Sequence, residues 1–119
     1  RIHQNKEDAH MEDKALINEA YKLLSELNKS YQSCKQSTAD DLRLQEVLNT
    51  TLKELKKAEM LDNSILIDLE KFYQRTSLLI GLGSLKLNDQ VRTAWRNYDK
   101  FHYEHVKHVL TLYGPVFGF

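Results

Sequence analysis

Residues 39–80 read ADDLRLQEVLNTTLKELKKAEMLDNSILIDLEKFYQRTSLLI, and the helix count depends on how this stretch is divided. Leu44, Leu48, Thr51, Leu55 and Ala58 recur at spacings of three and four, which is one face of an amphipathic helix. The same phase runs on through Asp62 to Ile65, Leu69, Phe72, Thr76 and Leu79. Read as a single helix, the stretch would be about 63 Å long at 1.5 Å per residue, against about 40 Å for each flanking helix. A third of its apolar face would then lack a partner. Two features place a break near Asp62-Asn63-Ser64. Asp62 falls on the core stripe, where an unpaired carboxylate is costly. All three residues also cap helices well and sit badly inside them. The stretch is therefore expected to form two helices, the first capped by Ser37 or Thr38 with Asp40 and Asp41 in its opening turn.

Upstream, Leu16, Ala20, Leu23, Leu27, Tyr31 and Cys34 form a second apolar stripe, widened by Leu24, with Lys14, Glu19, Lys22, Glu26 and Lys29 opposite. Glu7, Asp8, Glu12 and Asp13 crowd its start, where acids suit the helix dipole. This helix is expected over residues 8–36. Downstream, Gly81 and Gly83 end the third helix, and Asn88 caps a fourth with Asp89 in its first turn. Its stripe is Val91, Trp95, Tyr98, His102, His105, Val109 and Leu112, flanked by Ala94, Phe101 and Val106. Gly114-Pro115 stops it, leaving an apolar tail from Val116 to Phe119. Short loops between amphipathic helices favour antiparallel neighbours. The expected fold is all-α, an antiparallel four-helix bundle forming one domain over residues 1–119.

Composition supports this. The 119 residues suit one domain, and 41% hydrophobic with 29% charged residues is an ordinary globular mix. One proline and four glycines leave long helices uninterrupted. Lysine plus arginine equals aspartate plus glutamate, so no basic excess exists to drive nucleic-acid binding. No apolar run reaches the roughly 18 residues of a membrane span; the longest, Ser77 to Leu87, is interrupted by Gly81, Gly83 and Lys86. The chain begins at Arg1, which reads as a processed product or a trimmed chain. Asn28-Lys29-Ser30 and Asn49-Thr50-Thr51 are glycosylation sequons, a pattern common by chance. Cys34 is the one cysteine, expected as a buried free thiol, the alternative being a bond between chains.

Candidate chemistry is thin. His102, His105 and His108 are spaced by threes, so they drift about 60° per step and three would not converge on one ion. Glu7-Asp8-Ala9-His10 and Asp99-Lys100-Phe101-His102 echo the carboxylate-x-x-histidine pattern of di-iron bundles, but no inward glutamates are evident to complete it. Hydrogen-bonded histidines at the core edge are the expectation, with no metal and no cofactor. Cys34 lies near the negative end of its helix, which disfavours a thiolate nucleophile. Gly81-Leu82-Gly83 lacks the glycine and lysine of a phosphate loop, and no serine motif resembles a nucleophile elbow. The chain is therefore expected not to be an enzyme. Most aromatics of helix four belong to the core. Arg92, Arg96 and Tyr103 lie off the stripe, Tyr113 ends the helix-four aromatic cluster, and Phe117 and Phe119 in the tail can either close the bundle or anchor a partner. These six are the candidate protein-binding residues.

The segment from Ala9 to Glu19 (AHMEDKALINE) and the ending from Tyr98 to Phe119, with its Leu-Tyr-Gly-Pro-Val-Phe run, resemble the anophensin–albicin family of anopheline mosquito salivary proteins. The resemblance implies a secreted four-helix bundle that enters a host during blood feeding. Albicin-like members bind the C3 convertase, the assembly of C3b with factor Bb, and block the alternative pathway of complement. Anophensin-like members instead engage factor XII and kininogen and inhibit contact activation. The resemblance carries over no catalytic residue and no binding motif. The leading expectation is thus a monomeric, secreted complement inhibitor whose partners are host plasma proteins, C3b and factor Bb first among them. Contact-system inhibition is the alternative within the same resemblance. A carrier of an apolar small molecule, opening between helices, is the alternative from another class.

Overall fold

The computed structural model describes the backbone of residues 6–107 and 109, with side chains from Glu12 onward. It contains α1 (Lys6–Gln32), α2 (Ala39–Lys57), α3 (Asn63–Leu82) and α4 (Asp89–His102), the last running into a five-residue π-helical segment, Tyr103–Lys107. Among the described residues there is no strand.

The ambiguous stretch is divided as its capping residues require. α2 stops at Lys57, and Ala58 turns extended. Asp62 then caps α3, its Oδ1 accepting from the Ile65 amide at 3.0 Å. A carboxylate that one continuous helix would bury is exposed instead. The two halves fold back on each other, and the molecule measures 52 Å along its longest axis, shorter than a single 42-residue helix.

The α2 start is tied down more tightly than its sequence suggested. Thr38 Oγ1 accepts from the Asp41 amide at 3.1 Å, and Asp41 Oδ2 accepts from the Thr38 amide at 3.2 Å, a reciprocal capping box. Asp41 is buried, and the Tyr31 hydroxyl donates to its Oδ1. Burial pushes Asp41 up, but hydrogen bonds from Thr38, Tyr31 and the backbone outweigh it and hold the carboxyl below its usual range. Burial, reinforced by the Asp41 contact, raises the Tyr31 phenol. Asp40 Oδ2 accepts from the Ser84 amide at 2.8 Å, pinning the end of α3 to the start of α2. Glycine is required beside this joint: a Cβ at Gly83 would lie 2.4 Å from the Leu79 carbonyl oxygen and 2.7 Å from Asp40 Oδ2.

Cross-helix bonds fix the directions. Lys14 Nζ donates to the Ala58 carbonyl at 3.2 Å, and the Leu61 amide donates to Asp13 Oδ2 at 3.3 Å, so the start of α1 meets the end of α2. Asn88 Nδ2 donates to Ser33 Oγ at 3.2 Å, bringing the start of α4 to the end of α1. Neighbours are therefore antiparallel around a four-helix bundle with one shared apolar cluster. α4 lies closer to α1 than to α3, and aromatic rings fill the wider gap.

Several expectations need correction. α1 ends at Gln32 rather than 36, so Cys34 falls in the turn beyond it, half-buried rather than buried. The innermost row of α1 is Ile17, Ala20, Leu24, Leu27 and Tyr31; Leu16 and Leu23 sit at its margin. α3 runs through Gly81, which faces open space, and ends at Leu82 with Gly83 as its cap. The last correction concerns α4. The π-helical segment fits an extra residue into the turn and so re-aims the residues within it. Val106 enters the core at 0% exposure, and His105, expected on the stripe, is turned to half-exposure. The insertion buries a valine where uninterrupted α-helix would have buried a second histidine. The expected stop at Gly114-Pro115 and the tail lie outside the described residues.

Candidate protein-binding surfaces

The outward face of α4 carries Arg92, Arg96 and Lys100 at intervals of four, all exposed. Tyr103, 66% exposed, extends the row at the start of the π-helical segment. Lys107 Nζ stands 5.9 Å from the centre of its ring, a cation–π contact. Arg92, Arg96 and Tyr103 thus share one solvent face and take no part in the buried core. Tyr113, Phe117 and Phe119 lie outside the described residues.

The structure adds a surface that the sequence reading missed. α3 is apolar on more of its circumference than the bundle covers. Ile65, Leu66, Leu69 and Phe72 are buried, yet Leu78 is 60% and Leu82 is 84% exposed. Between α2 and α3 runs a groove of about 470 Å³. Val47, Phe72, Leu78 and Leu79 supply its apolar lining, with Arg43, Glu46 and Glu54 on the α2 side and Asp68, Lys71 and Arg75 on the α3 side. Leu82, one turn beyond Leu78, prolongs the same side of α3 past the groove. Burial raises the Asp68 carboxyl above its usual range, and nearby Glu54 adds to the effect. The signal in the sequence is the Ser77–Leu87 run, considered above only as a membrane span. Among the described residues no helix is long and apolar enough to be one.

The histidine expected at the core edge has a partner of a kind the sequence reading did not find. His102 is buried, its Nε2 2.5 Å from Glu70 Oε1 on α3. Its ring stacks on Tyr73 at 3.7 Å between centroids and 3° between planes, and Tyr73 in turn stacks on Trp95 at 5.4 Å. Glu70 is thus an inward glutamate, where none was expected. Burial lowers the His102 pKa, and Glu70 opposes this without reversing it. A neutral ring donating from Nε2 to the carboxylate satisfies both groups. The Tyr98 hydroxyl, beside it, donates to the Leu69 carbonyl at 3.0 Å. Among the described residues no three histidine, cysteine or carboxylate side chains converge as metal ligands would; His10 and His108 are outside those whose side chains are described.

Cys34 is a free thiol packed at the core margin, beside Ser33, Lys35 and Lys86. The two sequon asparagines share one network: Gln45 Nε2 donates to Asn28 Oδ1 at 3.1 Å and to Asn49 Oδ1 at 2.8 Å across the α1–α2 face. No protein-family model matches the chain, and no curated protein or solved structure matches it.

Proposed function

We propose that this chain is a secreted inhibitor that binds a plasma protease assembly, the alternative-pathway C3 convertase of C3b and factor Bb, and blocks complement activation in a blood-feeding host. The observation that carries the protein-binding part is the uncovered apolar side of α3, where Leu78 and Leu82 stand exposed beside a groove rimmed with charge. A contiguous apolar surface with a polar rim is the form taken by protein interaction sites. The exposed Arg92, Arg96 and Tyr103 on α4 offer a second set of anchors of the residue types favoured at interfaces. The choice of target rests on the resemblance of residues 9–19 and 98–119 to the anophensin–albicin family.

The test is C3b deposition from serum through the alternative pathway. The pure protein at micromolar concentration suppresses deposition if the reading is correct, and no effect refutes the complement target. Suppressed kallikrein generation in its place moves the target to the contact system. A Leu78→Ser/Leu82→Ser variant and an Arg92→Glu/Arg96→Glu variant alter exposed positions only, so circular dichroism should report unchanged helicity. The variant that loses inhibition identifies the surface in use.

A further inference from the structure

The groove between α2 and α3 has walls of opposite net sign: Glu46 and Glu54 outnumber Arg43 on the α2 side, and Lys71 and Arg75 outnumber Asp68 on the α3 side. Glu46 and Glu54, eight residues apart on α2, form one ridge with Thr50 between them. Lys71 and Arg75, four apart on α3, form the other. Arg43, also on the α2 side, pairs locally, its Nη1 lying 2.7 Å from Asp40 Oδ1, as does Glu54, whose Oε2 lies 3.3 Å from Lys57 Nζ, so Glu46 is the carboxylate that most strongly marks this wall. Lys71 and Arg75 are exposed, and neither forms an ion pair across the groove among the described residues. The floor between the walls is Val47, Phe72 and Leu79. Along α2, from Arg43 to Glu54, the groove extends about 17 Å, or three turns of a helix laid in it.

We propose that this groove receives an amphipathic helix of the partner protein, with acidic residues along the flank facing α3 and basic residues along the flank facing α2. The proposal rests on the reading of this face as a protein-docking surface and specifies what docks there. The apolar stripe of such a helix, at positions i, i+3, i+4 and i+7, fills the floor. Other occupants fit less well. An apolar chain with a single charged head matches one wall and is repelled by the other. Residues 108–119 of this chain, HVLTLYGPVFGF, carry no carboxylate side chain, lysine or arginine with which to meet either wall. A second copy would set a concave groove against a concave groove and leave both floors unfilled. The two walls also fix direction: reversing the partner helix exchanges its flanks and sets like charge against like.

Three fluorescein-labelled 15-residue helical peptides with one common leucine stripe test this by anisotropy against the full chain. One carries lysines on one flank and glutamates on the other, one carries lysines on both, and one glutamates on both. The mixed peptide should bind most tightly, by about tenfold, the scale of a few exposed ion pairs. A Lys71→Glu/Arg75→Glu variant makes both walls acidic and should move the preference to the all-lysine peptide. Equal binding of all three, binding of none, or a ranking unchanged in the variant overturns the proposal. So does dimerisation in sedimentation velocity, or a small apolar ligand held in native mass spectrometry that blocks every peptide. If the ranking fails while Leu78→Ser/Leu82→Ser still abolishes inhibition of C3b deposition, the docked helix is wrong and the docking surface stands. If no version of the chain inhibits deposition, the target is wrong whatever the peptides do.

Discussion

Phe72 joins the core to the groove, so its truncation probes both. The ring is 0% exposed and stands edge-on to Tyr98 at 5.3 Å and to Trp95 at 6.2 Å between centroids. Phe72→Ala removes the buried ring and leaves a cavity under the groove, which should cost about 4 kcal/mol. Phe72→Leu keeps most of the volume and loses the two edge contacts, so it should cost about 1–2 kcal/mol. At about 0.1 kcal/mol per residue, the 119-residue chain has roughly 12 kcal/mol of stability, and both variants remain folded. Urea unfolding followed by circular dichroism at 222 nm measures the difference. With a slope of about 2 kcal/mol/M, the alanine midpoint should fall by about 2 M and the leucine midpoint by less than 1 M, with slopes unchanged. Equal losses for the two variants, or a loss below about 1.5 kcal/mol for alanine, would refute the reasoning. Phe72 would then be packed loosely enough for the walls of the groove to collapse onto the vacancy.

Single contacts give further expected outcomes. Asp62→Ala deletes the α3 cap and should cost about 1 kcal/mol, lowering Tm by about 4 °C, while Asp62→Asn should cost little; an unchanged Tm in the alanine variant would remove the cap from the account of the break. Thr76 is fully buried, and its hydroxyl has no hydrogen-bond partner among the described residues. Thr76→Val should therefore stabilise the chain by about 1 kcal/mol, and a urea midpoint that falls instead would mean the hydroxyl is satisfied. His102 has its pKa lowered by burial, so the unfolded chain takes up the proton first as pH falls through the usual histidine value near 6.5. Stability should be full above that pH and decline below it, and His102→Gln should flatten this part of the profile. An unchanged slope in the variant would assign the acid sensitivity elsewhere. Asp41, held below its usual range, adds a separate loss only below about pH 4, as its carboxylate is protonated.

Element existence was legible in the sequence because caps and apolar spacing are local signals. Thr38, Asp62 and Asn88 each accept from the amide three residues on, so each marks a helix start without reference to the rest of the chain. Which residues lie deepest was less legible. On α1, Leu16 and Leu23 compete with Ile17 and Leu24 for the same stripe, and the choice depends on how α1 is rotated against α2 and α4. The Glu70–His102 pair joins residues 32 apart and has no local pattern. The α2–α3 groove escaped notice for a similar reason. Leucines on a helix read as core until the helices packed around it show that, among the described residues, one side has no neighbour.

The order of apolar, capping and breaking residues alone determined that this chain forms four amphipathic helices around one core, because those interactions act within a few residues of each other. Tertiary packing decided what no local window contains. It set the rotation of each helix, the extra residue in the turn after α4 that exchanges His105 for Val106, and the side of α3 left uncovered. The physical reason is that burial belongs to the space between elements. A leucine is core or surface according to what lies opposite it, and for Leu78 and Leu82 nothing in this chain among the described residues covers them.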